Sequence, residues 1–584
     1  IGKSTAVVEH DDQIFIVDAG IQFANGSLTG IKGIIPDYQY LIDNEERIQG
    51  LFLTHGHEDH MGGIAYLVQN CNIKRIVAPS VGISYIKFKL DERKIKTNIE
   101  WIEIDKNLVL TFGDMKVDFW SAQHSIPDAF GIRFTNRNGS MFFTGDFRID
   151  YTPIGSYPDF EKLEKIGQED LTVLFSDSTN AMRPYHSPSE KDILKAIREY
   201  MEQAPKKIII TAFASNMSRI SAIIKIAQEM NKKVVAFGRS MVNGINIARQ
   251  LGYIDVDDSI FIDKKHVSKY DDNELLILTT GSQGEALAGL AKMAEGKHPQ
   301  ISIKHNDLII FSSSPIPGNR IKIELLINDL YKLGANIKEN KIDGYLHTSF
   351  GTSISPCVIK PIDETSNKKN KIEGNIHTSG HAYQEEHRKI FELTKPTYFF
   401  PYHGEFRMSV VHGRTAEKAG VNPDNIFIAS HGEVYEMLDR KIFKTNDKIV
   451  SNPIYIDGEI ASAKNTKLIN EREQLGENGF VYISLLIDKE KADIVGRTKI
   501  ITRGTLYVKS STDIISDIRR IVHGLVLFTI KNSNDWTSSK LKKYIQERVK
   551  SYFYKTKRRS PYVCISIQYL DDLKFVTIPK EVNA

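Results

Sequence analysis

Phe52-Leu53-Thr54-His55-Gly56-His57-Glu58-Asp59-His60-Met61-Gly62-Gly63 is the stretch on which the reading of this chain turns. It has the form T-H-x-H-x-D-H and grows out of the apolar run Gly50–Thr54, which predicts a buried strand. Three imidazoles and a carboxylate within six residues make a metal-ligand set. In a loop, His55 and His57 can face one ion while Asp59 and His60 turn toward a second. Gly56, Gly62 and Gly63 let the backbone turn tightly. The competing reading is a solvated polar loop, but chance rarely delivers this pattern directly after a buried strand.

Two ions need further ligands. His124 follows the apolar run Val117–Trp120, Asp146 follows Met141–Thr144, and His403 lies in Phe399-Phe400-Pro401-Tyr402-His403-Gly404-Glu405. Taken singly, each is more often an ordinary polar loop residue. Taken with the first motif they complete two sets: His55, His57 and His124 for one ion; Asp59, His60 and His403 for the other; Asp146 as the bridge. A pair of ions about 3.5–4 Å apart generates a nucleophile from water at neutral pH and stabilises charge on a phosphoryl oxygen. Nitrogen and carboxylate donors without thiolate suit two Zn2+, with Mn2+ or Mg2+ as substitutes.

The chain around these residues is long. Its 584 residues predict two to four domains, and its 41% hydrophobic and 26% charged content is that of a globular protein. Lys+Arg minus Asp+Glu is 77 − 73 = +4, so nucleic-acid contact would have to come from a local basic surface. Cys71, Cys357 and Cys564 are scattered, match no zinc-finger spacing, and fit a reducing, cytoplasmic setting. No apolar run is long enough to span a bilayer and no signal peptide is visible. The first residue is Ile1 and a strand is already predicted at Val7–Val8, so a native N-terminus longer by a few tens of residues is expected.

Residues 1–190 alternate strand-like runs with turns (Gln13–Val17, Gly50–Thr54, Lys116–Trp120, Ser140–Thr144, Leu171–Phe175), several delivering polar clusters at their C-terminal ends. From about 190 the rhythm changes. A capping-box-like Ser189-Glu190-Lys191-Asp192 opens a helix. Strands are predicted at Lys207–Thr211, Lys233–Phe237, Leu275–Thr279 and Asp307–Phe311, with helices at Ser218–Met230 and Ser240–Gln250 between them. This βαβ series predicts a parallel sheet flanked by helices. The polar stretch 361–375 predicts an exposed loop. Asp343–Ser349 is echoed by Glu373–Ser379, but only the second copy runs on to Gly380-His381, so His347 receives no catalytic role. After a linker, strands are predicted at Phe480–Ile487 and Gly504–Val508, with helices at Thr512–Val522 and Ser539–Tyr552.

The order H-x-H-x-D-H, His, Asp, distant His is similar to the metallo-β-lactamase superfamily. The long gap between Asp146 and His403, filled by the βαβ series, looks like the β-CASP insertion that marks nucleic-acid processing members. Further strings resemble the ribonuclease J family: His124-Ser125-Ile126-Pro127-Asp128, Ser176-Asp177-Ser178-Thr179-Asn180-Ala181, Phe237-Gly238-Arg239-Ser240-Met241, Thr280-Gly281-Ser282-Gln283-Gly284-Glu285, Ser313-Ser314-Pro315-Ile316-Pro317-Gly318-Asn319, His377-Thr378-Ser379-Gly380-His381, and Arg503-Gly504.

The resemblance covers essentially the whole chain. It implies an α/β fold: a metallo-β-lactamase αββα sandwich in two parts (1–195 and 373–440), an inserted parallel α/β β-CASP domain (196–372), a linker (441–460) and a small C-terminal α/β domain (461–584). It implies a metal-dependent ribonuclease, a 5′→3′ exonuclease with endonuclease activity, acting in rRNA processing and mRNA decay. Single-stranded RNA with 5′-monophosphate ends would be the substrate. In-line attack would leave 5′-phosphate products. A homodimer or homotetramer formed through the C-terminal domain, and membership of an RNA-degradation complex, are further implied partners.

Residue by residue, Asp177 matches a carboxylate beside the metal centre and His381 a general acid for the departing 3′ oxygen. These two and Asp59 form the implied catalytic group. His377, Thr378, Ser379, Gly380 and His381 would meet the phosphate or nucleotide, as would Arg239 and Ser240 at a helix start. Ser313, Ser314 and Gly318 either line the pocket or merely cap a loop.

The stretch 342–372 looks longer than the family usually has. Lys32 stands where an acidic residue is implied, which counts against an auxiliary calcium site. Lys540 to Arg559 holds nine Lys/Arg and one acidic residue, with Tyr544, Tyr552, Phe553 and Tyr554 interleaved. It reads either as an RNA-backbone contact or, the favoured reading, as a solvated helix face with aromatics in the core. Gly2-Lys3-Ser4-Thr5 lacks the glycine-rich turn of a P-loop, so ATP binding is rejected. A DNA-repair nuclease, a β-lactamase or thioester hydrolase, and a metal-free scaffold remain as lesser readings.

Overall fold

Phe15, Phe52, Phe119 and Phe134 are fully buried and sit between two sheets. In this computed structural model the described residues are 2–24, 30–281, 288–313, 319–340, 375–458, 460–463, 466–491, 493–506, 511–532 and 537–570. They fall into two compact units, one within Ile1–Phe23 and Gly33–Ile454, the other within Ala24–Lys32 and Tyr455–Ala584.

In the first unit, one sheet runs in the order Ala6–His10, Gln13–Val17, Ile48–Phe52, Arg75–Ala78, Glu100–Glu103. The facing sheet runs Tyr398–Tyr402, Val173–Asp177, Gly139–Phe143, Ala129–Asn136, Met115–Ala122, Val109–Phe112. The outer face of this second sheet, with Trp120, Phe142, Leu174 and Phe399, is covered by Leu163 and Ile166 of helix Phe160–Gln168, Ile390 and Phe391 of Gln384–Thr394, and Ala416 of Phe406–Lys418. Each buried Phe or Leu removes enough apolar surface to contribute roughly 1.5–3 kcal/mol, so the sandwich is driven by its interior.

The inserted sheet is parallel throughout, in the order Lys233–Phe237, Leu275–Thr279, Ile208–Thr211, Leu308–Phe311, Asn336–Lys338. Its strands are apolar runs without alternation because both faces are buried. Ile208, Ile210, Leu276, Leu278, Leu308 and Ile310 pack into one core. Ile209, Leu275, Ile277, Ile309 and Phe311 pack into another on the opposite face. The helices are Met217–Glu229 and Arg239–Gln250, within a residue of the expected ranges. Ser189 caps its helix by accepting from the Lys191 N–H at 3.2 Å. This is a simple N-cap; the expected box would have Ser189 accept from the Asp192 N–H, one residue further on. The stretch 441–460, expected as a linker, opens with strand Lys441–Lys448, paired antiparallel to Glu433–Leu438. His347 and the stretch 342–372 lie outside the described residues.

In the second unit, Phe480–Asp488 pairs in parallel with Tyr562–Tyr569 and antiparallel with Lys499–Arg503. The expected strand at Gly504–Val508 is corrected by this register over Gly504–Leu506; residues 507 and 508 lie outside the described residues. Phe480, the first residue of its partner strand, already faces Arg503, so nothing remains for Gly504 to pair with. Helices Thr512–Asn532 and Ser538–Lys557 cover the sheet with Ile518, Val522, Leu541, Ile545, Val549 and Phe553. Among the basic helix's aromatics, Phe553 is core, the Tyr552 hydroxyl donates to Asp517 at 2.6 Å, and Tyr544 and Tyr554 are exposed. No helix among the described residues is long and apolar enough to cross a membrane.

Candidate metal centre

The strand directions bring the expected ligands to one end of the sandwich. Gly139–Phe143, Val173–Asp177 and Tyr398–Tyr402 are neighbouring parallel strands, so Asp146, Asp177 and His403 emerge at the same edge. Met115–Ala122 reaches that edge too, since two antiparallel steps restore its direction, and His124 follows it. In the facing sheet, Gln13–Val17 and Ile48–Phe52 run parallel and deliver Asp18 and the His55–His60 loop.

Two donor groups result: His55, His57, His124 with Asp146, and Asp59, His60, His403 with the same Asp146. A third joins Asp146, Asp177, His381 and His403. His57 Nδ1 lies 3.1 Å from His55 Nε2 and 3.0 Å from His124 Nε2. Asp146 Oδ2 is 3.2 Å from His60 Nε2 and 3.6 Å from His55 Nε2, and its Oδ1 is 3.0 Å from His403 Nδ1. Glu58, the intervening carboxylate of the motif, turns away to Lys89 at 2.8 Å.

The donor set fits divalent cations. Among the described residues, buried His60 Nε2, His403 Nε2 and both Asp146 oxygens have no hydrogen-bond partner, which is costly unless another group completes them. Burial pushes His57 down to about 4 and holds His55 and His124 well below the imidazole range, so these rings keep their lone pairs. Burial alone would raise Asp146, but His403 and His60 outweigh it and keep the carboxylate ionised. His60 behaves oppositely. Burial lowers it, yet Asp146 and Asp18 lift it to about 10. The field that retains a proton on His60 would equally retain a cation.

The rings are aimed by their second nitrogens. His60 Nδ1–H donates to Asp18 Oδ2 at 2.7 Å and His124 Nδ1–H to the Gly380 carbonyl at 2.6 Å, leaving each Nε2 as a donor for metal. Asp18 also accepts from the Thr54 N–H at 2.8 Å. Asp18 is missing from the sequence-derived set, although it follows an apolar strand just as Asp146 does. Replacing it by asparagine removes the charge behind His60 and is expected to weaken metal affinity about 10–100-fold, measurable by competition with a chelator.

Two glycines permit the close packing. A Cβ on Gly20 would lie 1.6 Å from the Asp59 carbonyl oxygen, where the backbone of the ligand loop is clamped by Ser4 and Ala19 N–H groups. One on Gly380 would lie 2.7 Å from His124 Cε1 and 2.9 Å from Ser125 Oγ.

Of the remaining expected residues, His381 Nδ1 contacts Asp177 Oδ2 at 2.8 Å. Burial lowers His381, but Asp177 and Asp146 raise it more, and the net shift is upward. Asn180 donates to Ser379 Oγ at 2.8 Å, and Arg148 to the Ser379 carbonyl at 3.4 Å, fixing the 377–381 segment beside the cluster. Arg239 and Ser240 open helix Arg239–Gln250 and are exposed; Arg239 lies outside the donor groups and pairs with Glu92 at 3.0 Å. Ser313 is buried, while Ser314 and Gly318 lie outside the described residues.

Four family models match the chain: the metallo-beta-lactamase superfamily over residues 2–211, the ribonuclease J beta-CASP domain over 205–330, the Zn-dependent metallo-hydrolase RNA specificity domain over 368–429, and the ribonuclease J C-terminal domain over 467–569. The chain is 34% identical over 582 residues to ribonuclease J of Mycoplasma genitalium, covering 98% of this chain and 95% of that protein. It is similarly related to ribonuclease J 1 of Streptococcus pyogenes, at 34% identity with 96% and 94% covered. To ribonuclease J2 of Bacillus subtilis it is 32% identical, with 96% and 95% covered.

Proposed function

The chain belongs to the ribonuclease J family, metal-dependent hydrolases acting on RNA, and from that premise we propose how its residues do this. The substrate is single-stranded RNA bearing a 5′-monophosphate, shortened from the 5′ end and also cut internally. The observation that carries this reading is the sharing of Asp146 between two donor groups directly beside the 377–381 segment.

Two Zn2+ are the proposed ions, with Mn2+ or Mg2+ as substitutes. His55, His57 and His124 would hold one, Asp59, His60 and His403 the other, and Asp146 both. When bound, such a pair supplies Lewis acidity and an activated water at neutral pH. Asp177 accepts from His381 Nδ1–H, which leaves Nε2 to carry a proton to the departing 3′ oxygen. His377, Thr378, Ser379 and Gly380 would meet the phosphate, and Arg239 with Ser240 would meet the nucleotide chain beyond it. Asp59 would join the catalytic group as a ligand of the second ion beside His403, whose Nε2 lies 3.4 Å from its carboxylate. The domain limits given above, a dimer or tetramer through the C-terminal domain, an RNA-degradation complex and a cytoplasmic location complete the proposal.

The test is cleavage of matched 3′-labelled single strands, RNA and DNA, each with a 5′-monophosphate. Processive loss from the 5′ end of RNA alone is the expected result. Preferential cutting of DNA would move the chain to a repair nuclease, and no cutting of either would leave a scaffold.

A further inference from the structure

Arg219 is fully buried on helix Met217–Glu229, just beyond the C-terminal end of the inserted sheet's central strand, Ile208–Thr211. Ligands collect at such an end, where the strand order changes direction. A buried guanidinium is tolerated only if its charge is balanced and its five N–H groups are accepted. Here all five are. Nε donates to Glu190 Oε2 at 3.1 Å, and Nη2 to Glu190 Oε1 and, at 3.2 Å, to the Thr378 carbonyl. Nη1 donates to the Ser312 carbonyl at 3.1 Å and to His377 Nδ1 at 2.6 Å.

The last contact has a chemical consequence. Guanidinium has no lone pair, so His377 Nδ1 must be the acceptor. The single ring proton of neutral His377 therefore sits on Nε2. Burial and the positive charge of Arg219 both hold His377 well below the imidazole range, which keeps the ring neutral. A neutral imidazole of unspecified tautomer would offer an anion a lone pair as often as an N–H. This one offers an N–H only. Asn340 fixes the same residue from its other side, accepting the His377 backbone N–H at 3.0 Å.

We propose that Arg219 is the positioning residue of the RNA-phosphate subsite: it locks His377 as an Nε2–H donor. This rests on the reading of the 377–381 segment as the phosphate contact. Arg219 does not itself touch substrate; its effect passes through His377.

The test is a double-mutant cycle of Arg219→Lys with His377→Ala, read as kcat/KM on single-stranded RNA, with metal content and melting temperature alongside. Lysine retains the charge opposite Glu190 but cannot reach five acceptors. Arg219→Lys is expected to keep its metal and lower kcat/KM about 10–100-fold, the cost of a misplaced contact. In the His377→Ala background the same change is expected to cost about threefold or less, since coupled residues are not additive. An equal loss in both backgrounds, or no loss in either, overturns the proposal. If Arg219→Lys does not fold, the pair Arg219→Gln with Glu190→Gln removes both charges together and enters the same cycle. His377→Ala cleaving RNA at the wild-type rate would instead overturn the reading of the segment as the phosphate contact, and with it this proposal.

Discussion

Asp146→Asn is expected to abolish RNA cleavage, on the order of 10³-fold or more in kcat/KM, because it withdraws the one charge common to the donor groups of the two proposed ions. Asp146 belongs to every donor group around the centre, and its oxygens reach His60 at 3.2 Å and His403 at 3.0 Å without a hydrogen-bond donor of their own. Asparagine preserves shape but replaces one acceptor with an N–H that faces imidazole nitrogens. Both ions should therefore be lost together. His57→Ala, by contrast, touches only the His55–His57–His124 group and is expected to release one equivalent. Elemental analysis of the two variants against the wild type checks this. If Asp146→Asn retains two equivalents, the bridging role is wrong.

His381→Ala is expected to lower kcat about 10²–10⁴-fold on RNA while leaving metal content unchanged. The side chain is 20% exposed where the donor cluster opens, and its Nδ1 is occupied by Asp177, so Nε2 is the atom available for proton delivery. A 3′-alkoxide leaves poorly without a proton; an aryloxide leaves well without one. The loss should accordingly shrink to about tenfold on a 4-nitrophenyl phosphodiester of a nucleotide. A loss of equal size on both substrates would assign His381 to binding or support instead of proton transfer.

The sequence made the clustered donor residues legible because each follows an apolar strand, and strand ends are where a sheet exposes polar residues. The inserted sheet was legible for a related reason: runs such as Ile208–Thr211 have no polar alternation, which is the mark of strands covered on both faces. The same strand-end signal is present at Asp18, but no histidine motif adjoins it in sequence to mark it as functional. Arg219 was hidden differently. It is one arginine on a helix whose other buried residues, Met217, Ile220, Ile223 and Ile224, are apolar, and surface arginines are common enough that one sequence does not separate the two cases. Its neighbours Glu190 and His377 are distant in sequence and meet it only after the insertion has folded. The expected strand is absent at Gly504–Leu506 because a strand's end depends on where its partner begins, and local composition carries no record of that.

Val173–Asp177 and Tyr398–Tyr402 are hydrogen-bonded neighbours separated by the whole inserted sheet. That arrangement sets an order of events during synthesis. His55, His57, His124 and Asp146 have all been synthesised when about 250 residues, and so tens of seconds at roughly 5–20 residues per second, remain before His403. The first donor group can close early within the nascent chain. The second must wait for the inserted domain to be made and its ends to be brought together, so capture of the second ion would mark completion of the catalytic unit.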